Sequence, residues 1–307
     1  MNGILNVDKP SGVTSFQIVA LVRRLSGERR VGHAGTLDPM ATGVLPICLG
    51  QATRVVEFFG VMTKRYIAEI ELGIETDTYD ISGQVTRRID PTAINRKRLE
   101  EVLIAFRGPI QQTPPMYSAV KYCGKPLYTL ARAGIEVERK PRIAEIHSLE
   151  LVDFHPPVAT LDIVCGKGTY IRAIAHDMGQ VLGCGAAMRS LVRTRYGRFD
   201  KSESVSVEKL TDAFRLGNWK DLMHPPDCVL THLPAVVLDN EAEKHMKMGR
   251  TLTPAEVAET TPVPEAGEAT VTAEQCRAYA LDGRFVGVLR FNAGNGFWHP
   301  EKVLLNL

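Results

Sequence analysis

Apolar residues along this chain recur with two periods, and the changes of period mark its elements. Between Ser11 and Ser26, Ile18, Val19, Val22 and Leu25 fall at helical spacing, with Thr14 or Ser15 placed to cap the N-terminus. From Tyr66 to Leu72 the period drops to two. Tyr66, Ala68, Ile70 and Leu72 share one face and Glu69 and Glu71 the other, the pattern of a half-buried strand. Asn95 to Phe106 reads as a helix, Ile143 to Phe154 and Val158 to Val164 as extended segments, and Tyr170 to Leu182 as a helix entered from Gly166-Lys167-Gly168. Later, a short helix over Asn240 to Gly249 is closed by its glycine, and Cys276 to Phe291 alternates in two runs around Asp282-Gly283, a hairpin signal. Strands and helices do not alternate strictly enough for a doubly wound parallel sheet, so the pattern predicts a mixed α+β protein. A break near Met223-His224-Pro225-Pro226 divides the chain into domains over residues 1–228 and 229–307.

Composition bounds this picture without deciding it. A chain of 307 residues can bury a full core in two domains, but a formal net charge of +2 is too small to announce a nucleic-acid partner. Distribution says more. Arg107, Lys121, Lys125, Arg132, Arg139, Lys140 and Arg142 stand against only Glu136 and Glu138, and Arg189, Arg193, Arg195, Arg198 and Lys201 form a second cluster. Charge runs are usually solvated faces; here Tyr117, Tyr122 and Tyr128 are interleaved, and bases can stack on them. The six cysteines form no C-x-x-C pair, which points to reduced thiols, and no His/Cys grouping has zinc-ligand spacing, so no metal is expected. With no apolar signal region and no stretch near membrane-span length, a cytoplasmic protein without a membrane contact is the default expectation.

The stretch most specific in its chemistry is Gly32-His33-Ala34-Gly35-Thr36-Leu37-Asp38-Pro39-Met40-Ala41-Thr42-Gly43. It holds one carboxylate in a glycine-rich loop ahead of an apolar strand. Pro39 biases Asp38 toward extended or turn conformations, and Gly35 and Gly43 permit backbone angles and close approaches closed to other residues. A lone Asp-Pro is usually a self-satisfied turn, but these flanks are more particular. Gly-His-Ala-Gly-Thr-Leu-Asp-Pro followed by Ala-Thr-Gly-Val-Leu-Pro resembles the catalytic motif of the TruB family of pseudouridine synthases. Gly3 to Gly12 resembles that family's opening strand and lysine loop, and Lys64-Arg65-Tyr66, Thr76 to Asp80, Gln112 to Lys121, Gly168 to Arg172 and Leu191 to Thr194 follow in family order. Ala187 and Val192 depart from the residues common there, which touches a peripheral RNA contact rather than the chemistry.

The resemblance implies a large mixed antiparallel sheet with flanking helices and an RNA cleft across it. It also implies isomerisation of a uridine in folded RNA to pseudouridine, a redox-neutral reaction needing no cofactor. Asp38 would be the catalytic carboxylate, Arg172 the cation that holds it ionised, and Tyr66 the stacking platform whose hydroxyl helps move the C5 proton. Tyr170 and Leu191 would close the pocket, His33 would contact the RNA, Lys9 would support the site loop or meet a phosphate, and Lys121 belongs to an RNA-gripping loop over about residues 108–142. The helix near Asn240, the hairpin and the closing His299 to Val303 resemble, more weakly, a PUA domain, a small RNA-binding β-barrel.

Three functions fit. The first is a stand-alone synthase acting on the T-loop uridine of tRNA, position 55, through its T-arm, with no obligatory protein partner. The second is a guide-RNA-dependent synthase subunit; those relatives have a shorter gripping loop, whereas this chain runs on through Lys125 to Gly134 and Arg142. The third is a non-catalytic tRNA-binding or folding protein, against which intact Asp38, Tyr66 and Arg172 argue.

Overall fold

The computed structural model describes residues 1–257 and 274–305, and the Pro/Glu-rich stretch around Pro262 to Gly267 lies outside the described residues. Eleven strands form one large mixed sheet. Its main path runs Val205–Ser206, Gly3–Lys9, Thr42–Leu49, Ala186–Tyr196, Lys64–Leu72, Val158–Cys165, Arg142–His155 and Gly108–Gln112. Most neighbours are antiparallel, but Thr42–Leu49 meets Ala186–Tyr196 in parallel, through Val192 opposite Thr42 and Arg193 opposite Gly43. This junction at the sheet's centre brings the Asp38 loop, just ahead of Thr42, beside the strands that carry Leu191 and Tyr66.

The local patterns became these elements for ordinary reasons. In the helix Ser15–Ser26 the cap is Thr14, whose hydroxyl accepts from the Gln17 amide while the Gln17 side chain accepts from the Thr14 amide; Gly27, at φ 67°, ends it. Ser15 is not the cap: its hydroxyl turns inward to the backbone of Leu37. In Lys64–Leu72 alternate residues from Lys64 are buried, as its period of two requires. The helices Ser15–Ser26, Arg96–Ile104 and Ile171–Leu182 lay Val22, Leu99 and Ile174 into one apolar cluster with Leu45, Ile47, Ala68, Ile70, Leu161 and Ile163 of the sheet.

The C-terminal part has its own four-stranded sheet, ordered Ala235–Leu238, Gln275–Ala280, Phe285–Asn292, Phe297–Val303, with the helix Asn240–Lys247 against it. Among the described residues these strands form an open sheet, not a closed barrel. The hairpin around Asp282-Gly283 is present, and the short Met223–His224 strand completes an edge of the large sheet beside Gly3–Lys9. The two parts share a core: Val229, Leu230, Leu233, Phe285, Val288 and Leu304 pack with Ile4, Val55, Phe58 and Phe59. Each such side chain returned to water forfeits about 1.5–3 kcal/mol. A chain ending at Cys228 is therefore expected to melt well below one ending at Pro234, which keeps Val229, Leu230 and Leu233, and both below the full chain. Thermal unfolding of the three checks this order; equal midpoints would make the shared core irrelevant.

Candidate active site

The Asp38 loop is held from both ends and from beneath. Its leading strand, Val31–His33, pairs with Thr42–Leu49, and the Ala34 amide continues the ladder to the Pro46 carbonyl. Between them the Gly12 amide and the Lys9 ammonium both donate to the Pro39 carbonyl, and Ser15 clasps Leu37 from below. Leu37 and Ala41, on either side of Asp38, are buried in the main core. Gly35 and Gly43 have φ of 68° and 98°, and a Cβ at Gly43 would lie 2.3 Å from the Arg193 carbonyl oxygen, so these glycines let the loop close onto the neighbouring strand. Asp38 itself keeps a side chain 36% exposed above this support.

Arg172 reaches Asp38 from the first turn of the helix Ile171–Leu182. Its side chain is only 5% exposed, and its Nε donates to Asp38 Oδ2 at 2.8 Å. Nη1 donates to the Thr78 carbonyl at 3.0 Å and Nη2 to the Tyr117 carbonyl at 2.8 Å. A second carboxylate, the buried Asp80, lies 3.8 Å from the same Nε and is itself fixed by Thr78 and by the amide and hydroxyl of Ser82. One guanidinium thus ties together the Asp38 loop, the Thr76 to Ser82 turn and the start of the gripping segment. A planar fork of fixed donors suits this, and a lysine would not. The turn is strained: Tyr79 has φ 64° and its ring stacks on His176 at 3.9 Å.

The other expected residues gather nearby, with differences. Tyr66 is 7% exposed and sits opposite Arg193 across the antiparallel pair, with Leu191 opposite Ala68, so Tyr66 and Leu191 lie on one face two residues apart. Burial pushes the Tyr66 phenol up, and the Arg193 charge opposes this. Tyr170 caps the Arg172 helix, its amide and carbonyl both bonded to the side chain of buried Gln112. His33 is half-buried with Nδ1 unpartnered, and burial followed by the Arg193 charge pushes its imidazole down. A cleft of about 430 Å³ opens beside Leu191, lined also by Met40, Thr42, Ser82 and Arg189.

Two expectations need correction in their detail. Lys9 is fully buried, and its ammonium donates to the carbonyls of Pro10, Val13 and Pro39, so it braces the loop and has no donor left for a phosphate. Burial brings it down to about 8. Arg193, grouped by sequence with the second basic cluster, is fully buried in the sheet. Lys121 is exposed on a two-stranded ribbon with Lys125, and Arg132 stacks over the exposed Tyr128, while Arg139 is tied to the Pro114 carbonyl and to Glu136. Asp80, Gln112 and Arg193 carried no assigned role in the sequence reading. Gln112 and Arg193 are polar residues at positions that strand alternation turns inward, whereas Asp80 stands out only as part of the Thr76 to Asp80 motif. Among the described residues no three His, Cys, Asp or Glu side chains converge as metal ligands, and no helix is long and apolar enough to cross a membrane.

Comparison with known proteins agrees with this geometry. The family model "TruB family pseudouridylate synthase (N terminal domain)" matches residues 23–171, and "tRNA pseudouridylate synthase B C-terminal domain" matches residues 172–258. A protein of Dehalococcoides mccartyi (strain ATCC BAA-2266 / KCTC 15142 / 195) called tRNA pseudouridine synthase B is 45% identical over 306 residues, covering 100% of this chain and 97% of its own. One of the same name from Symbiobacterium thermophilum is 45% identical over 252 residues, 81% of this chain and 82% of its own. Among solved structures, a Cbf5-Nop10-Gar1 complex superposes with a TM-score of 0.71 at 26% identity, covering 94% of this chain and 78% of that one. An H/ACA RNP bound to a substrate RNA containing 2'-deoxyuridine superposes with a TM-score of 0.72 at 23% identity, covering 99% of this chain and 85% of that one, which is a likeness of fold. With the motifs in order, the carboxylate and its arginine joined, and relatives of this identity over the whole length, the chain belongs to the TruB family of pseudouridylate synthases.

Proposed function

We propose that this protein isomerises the T-loop uridine of tRNA, position 55, to pseudouridine, with Asp38, Tyr66 and Arg172 carrying the chemistry. The observation that carries the reading is Arg172. A buried guanidinium anchored on two backbone carbonyls holds Asp38 at 2.8 Å while leaving that carboxylate partly exposed. Fixed orientation and a retained charge are what a carboxylate needs to act on a substrate rather than on its own backbone.

The reaction breaks the bond from N1 of uracil to C1' of ribose and makes one from C5 to C1'. Asp38 acts at this exchange, by attack on the base, attack on the sugar, or stabilisation of the separated fragments. Afterwards C5 carries both the sugar and a hydrogen. Tyr66 passes its own proton on to N1, and its oxygen then takes the proton from C5 as the bonding pair restores the ring double bond. A base paired or stacked in folded RNA must first be extruded. Tyr66 then supplies a stacking face, Tyr170 and Leu191 close over it, and the exclusion of water protects a detached sugar from hydrolysis. His33 meets the RNA at the mouth. The exchange is redox-neutral, and we place it in the cytoplasm.

The long basic segment supports a stand-alone enzyme that grips the T-arm without a guide RNA. Lys121, Lys125 and Arg132 present their charges to solvent on it, whereas Arg139 is committed to bracing. Replacing those three with Gln should flatten the slope of log affinity for tRNA against log salt by about 2–3, at about 0.7–0.9 per lost phosphate contact. Single-turnover rate at saturating enzyme should stay within a few-fold. An unchanged slope would make the segment a solvated face only. Substrate choice is tested by competing a T-arm stem-loop with a D-arm stem-loop of equal length. The T-arm should be modified and the D-arm left untouched, and equal modification would defeat the T-loop assignment.

A further inference from the structure

Arg193 is a fully buried cation whose hydrogen bonds go to carbonyls and not to carboxylates. Its Nε donates to Val44 at 2.7 Å and its Nη2 to Gly35 at 2.9 Å, while Nη1 is buried with no partner. The ring of Tyr196 lies 5.0 Å from the guanidinium carbon. Two carbonyl dipoles do not replace the hydration of a full charge, and a donor left idle adds to that cost. Such a group is tolerated where the site has a use for it.

Its surroundings indicate the use. Arg193 faces Gly43 on one neighbouring strand and Tyr66 on the other, and a directly opposed antiparallel pair places both side chains on one face. The Asp38 loop lies over it, since a Cβ at Gly35 would come within 3.4 Å of Nη1. The groups acting on the Tyr66 phenol are burial and the charges of Cys165 and Asp38, which push it up, and the charge of Arg193, which pulls it down. Arg172 is occupied by Asp38 and two carbonyls, so Arg193 is the cation left to serve the tyrosine.

We infer that Arg193 is a positioning residue of the reaction: its free Nη1 orients the Tyr66 oxygen toward C5 of the flipped base, and its charge offsets the negative charge on that oxygen before it takes the proton. This rests on the role proposed above for Tyr66, and the experiment separates the two.

The test uses the full-length chain, a T-arm stem-loop RNA, and the same RNA with deuterium at C5 of the target uridine, in single turnover at saturating enzyme. Arg193→Met should slow turnover about 10²-fold, leave RNA affinity unchanged, and raise the C5 isotope effect above wild type because proton removal becomes the slow step. Arg193→Lys keeps the charge but not the fork; it should recover part of the rate and bring the isotope effect back toward wild type. In a Tyr66→Phe background Arg193→Met should cause little further loss. Slower turnover with an unchanged isotope effect, or full additivity with Tyr66→Phe, would leave Arg193 a structural residue and overturn the inference. A Tyr66→Phe enzyme as fast as wild type would remove the Tyr66 role itself, and the inference with it. Should Arg193→Met fail to give the wild-type circular dichroism spectrum, Arg193→Lys carries the comparison.

Discussion

Asp38→Asn should abolish pseudouridine formation while tRNA still binds. The amide keeps the shape of the carboxylate and its acceptor for Arg172 Nε, and the loop beneath it is held by hydrogen bonds from Lys9, Gly12 and Ser15 to the backbone of Pro39 and Leu37. What is lost is the negative charge that attacks or stabilises the reacting carbon, and removal of such a group lowers kcat by about four orders of magnitude or more. The dissociation constant for tRNA should shift less than about threefold, roughly 0.65 kcal/mol, because affinity for RNA comes mainly from phosphate contacts spread over the surface. Substantial residual turnover in a purified variant would remove Asp38 from the chemistry.

Arg172→Ala should fail twice over. The variant loses the group that fixes Asp38, and it strands Asp80, whose side chain is 7% exposed, without its cation. Breaking a buried pair by removing one partner costs about 3–5 kcal/mol of stability, so the thermal midpoint should drop visibly. Turnover by the folded fraction should fall by about 10²-fold or more, the scale expected when a reacting group drifts by an ångström. Arg172→Lys keeps a charge near both carboxylates but cannot also satisfy Thr78 and Tyr117 from one ammonium. It should regain most of the stability and only part of the rate. Comparing the two variants by thermal unfolding and single-turnover kinetics checks this. Near-normal rates in Arg172→Ala would make the arginine structural alone.

Much of this was legible in the sequence because the informative features are local. The period-two face of Tyr66, Ala68, Ile70 and Leu72 is a property of backbone geometry, and it appears unchanged in the strand Lys64–Leu72. The helices at Ser15, Arg96 and Ile171 begin within a residue or so of where spacing and caps put them. Features that depend on distant partners were not legible. The parallel pairing of Ala235–Leu238 with Gln275–Ala280, and the packing of Phe285 and Leu304 onto Phe58 and Phe59, join segments whose sequences carry no mark of each other. Arg193 was misplaced because charge was weighed and alternation was not. It stands two residues from Leu191, on the same inward face, so the strand's period already pointed it into the core. Asp80 was visible only as part of a motif, since nothing local says that a carboxylate after Tyr79 will turn toward an arginine ninety-odd residues away.

The central claim is that this chain alone converts one uridine of tRNA. The direct measurement is incubation of the purified protein with an unmodified full-length tRNA transcript, without guide RNA or other protein, followed by mapping of pseudouridine at nucleotide resolution. The account predicts a single new pseudouridine at position 55 in the T-loop. A folded protein that leaves that uridine unmodified, or modifies it only when a guide RNA is added, would contradict it.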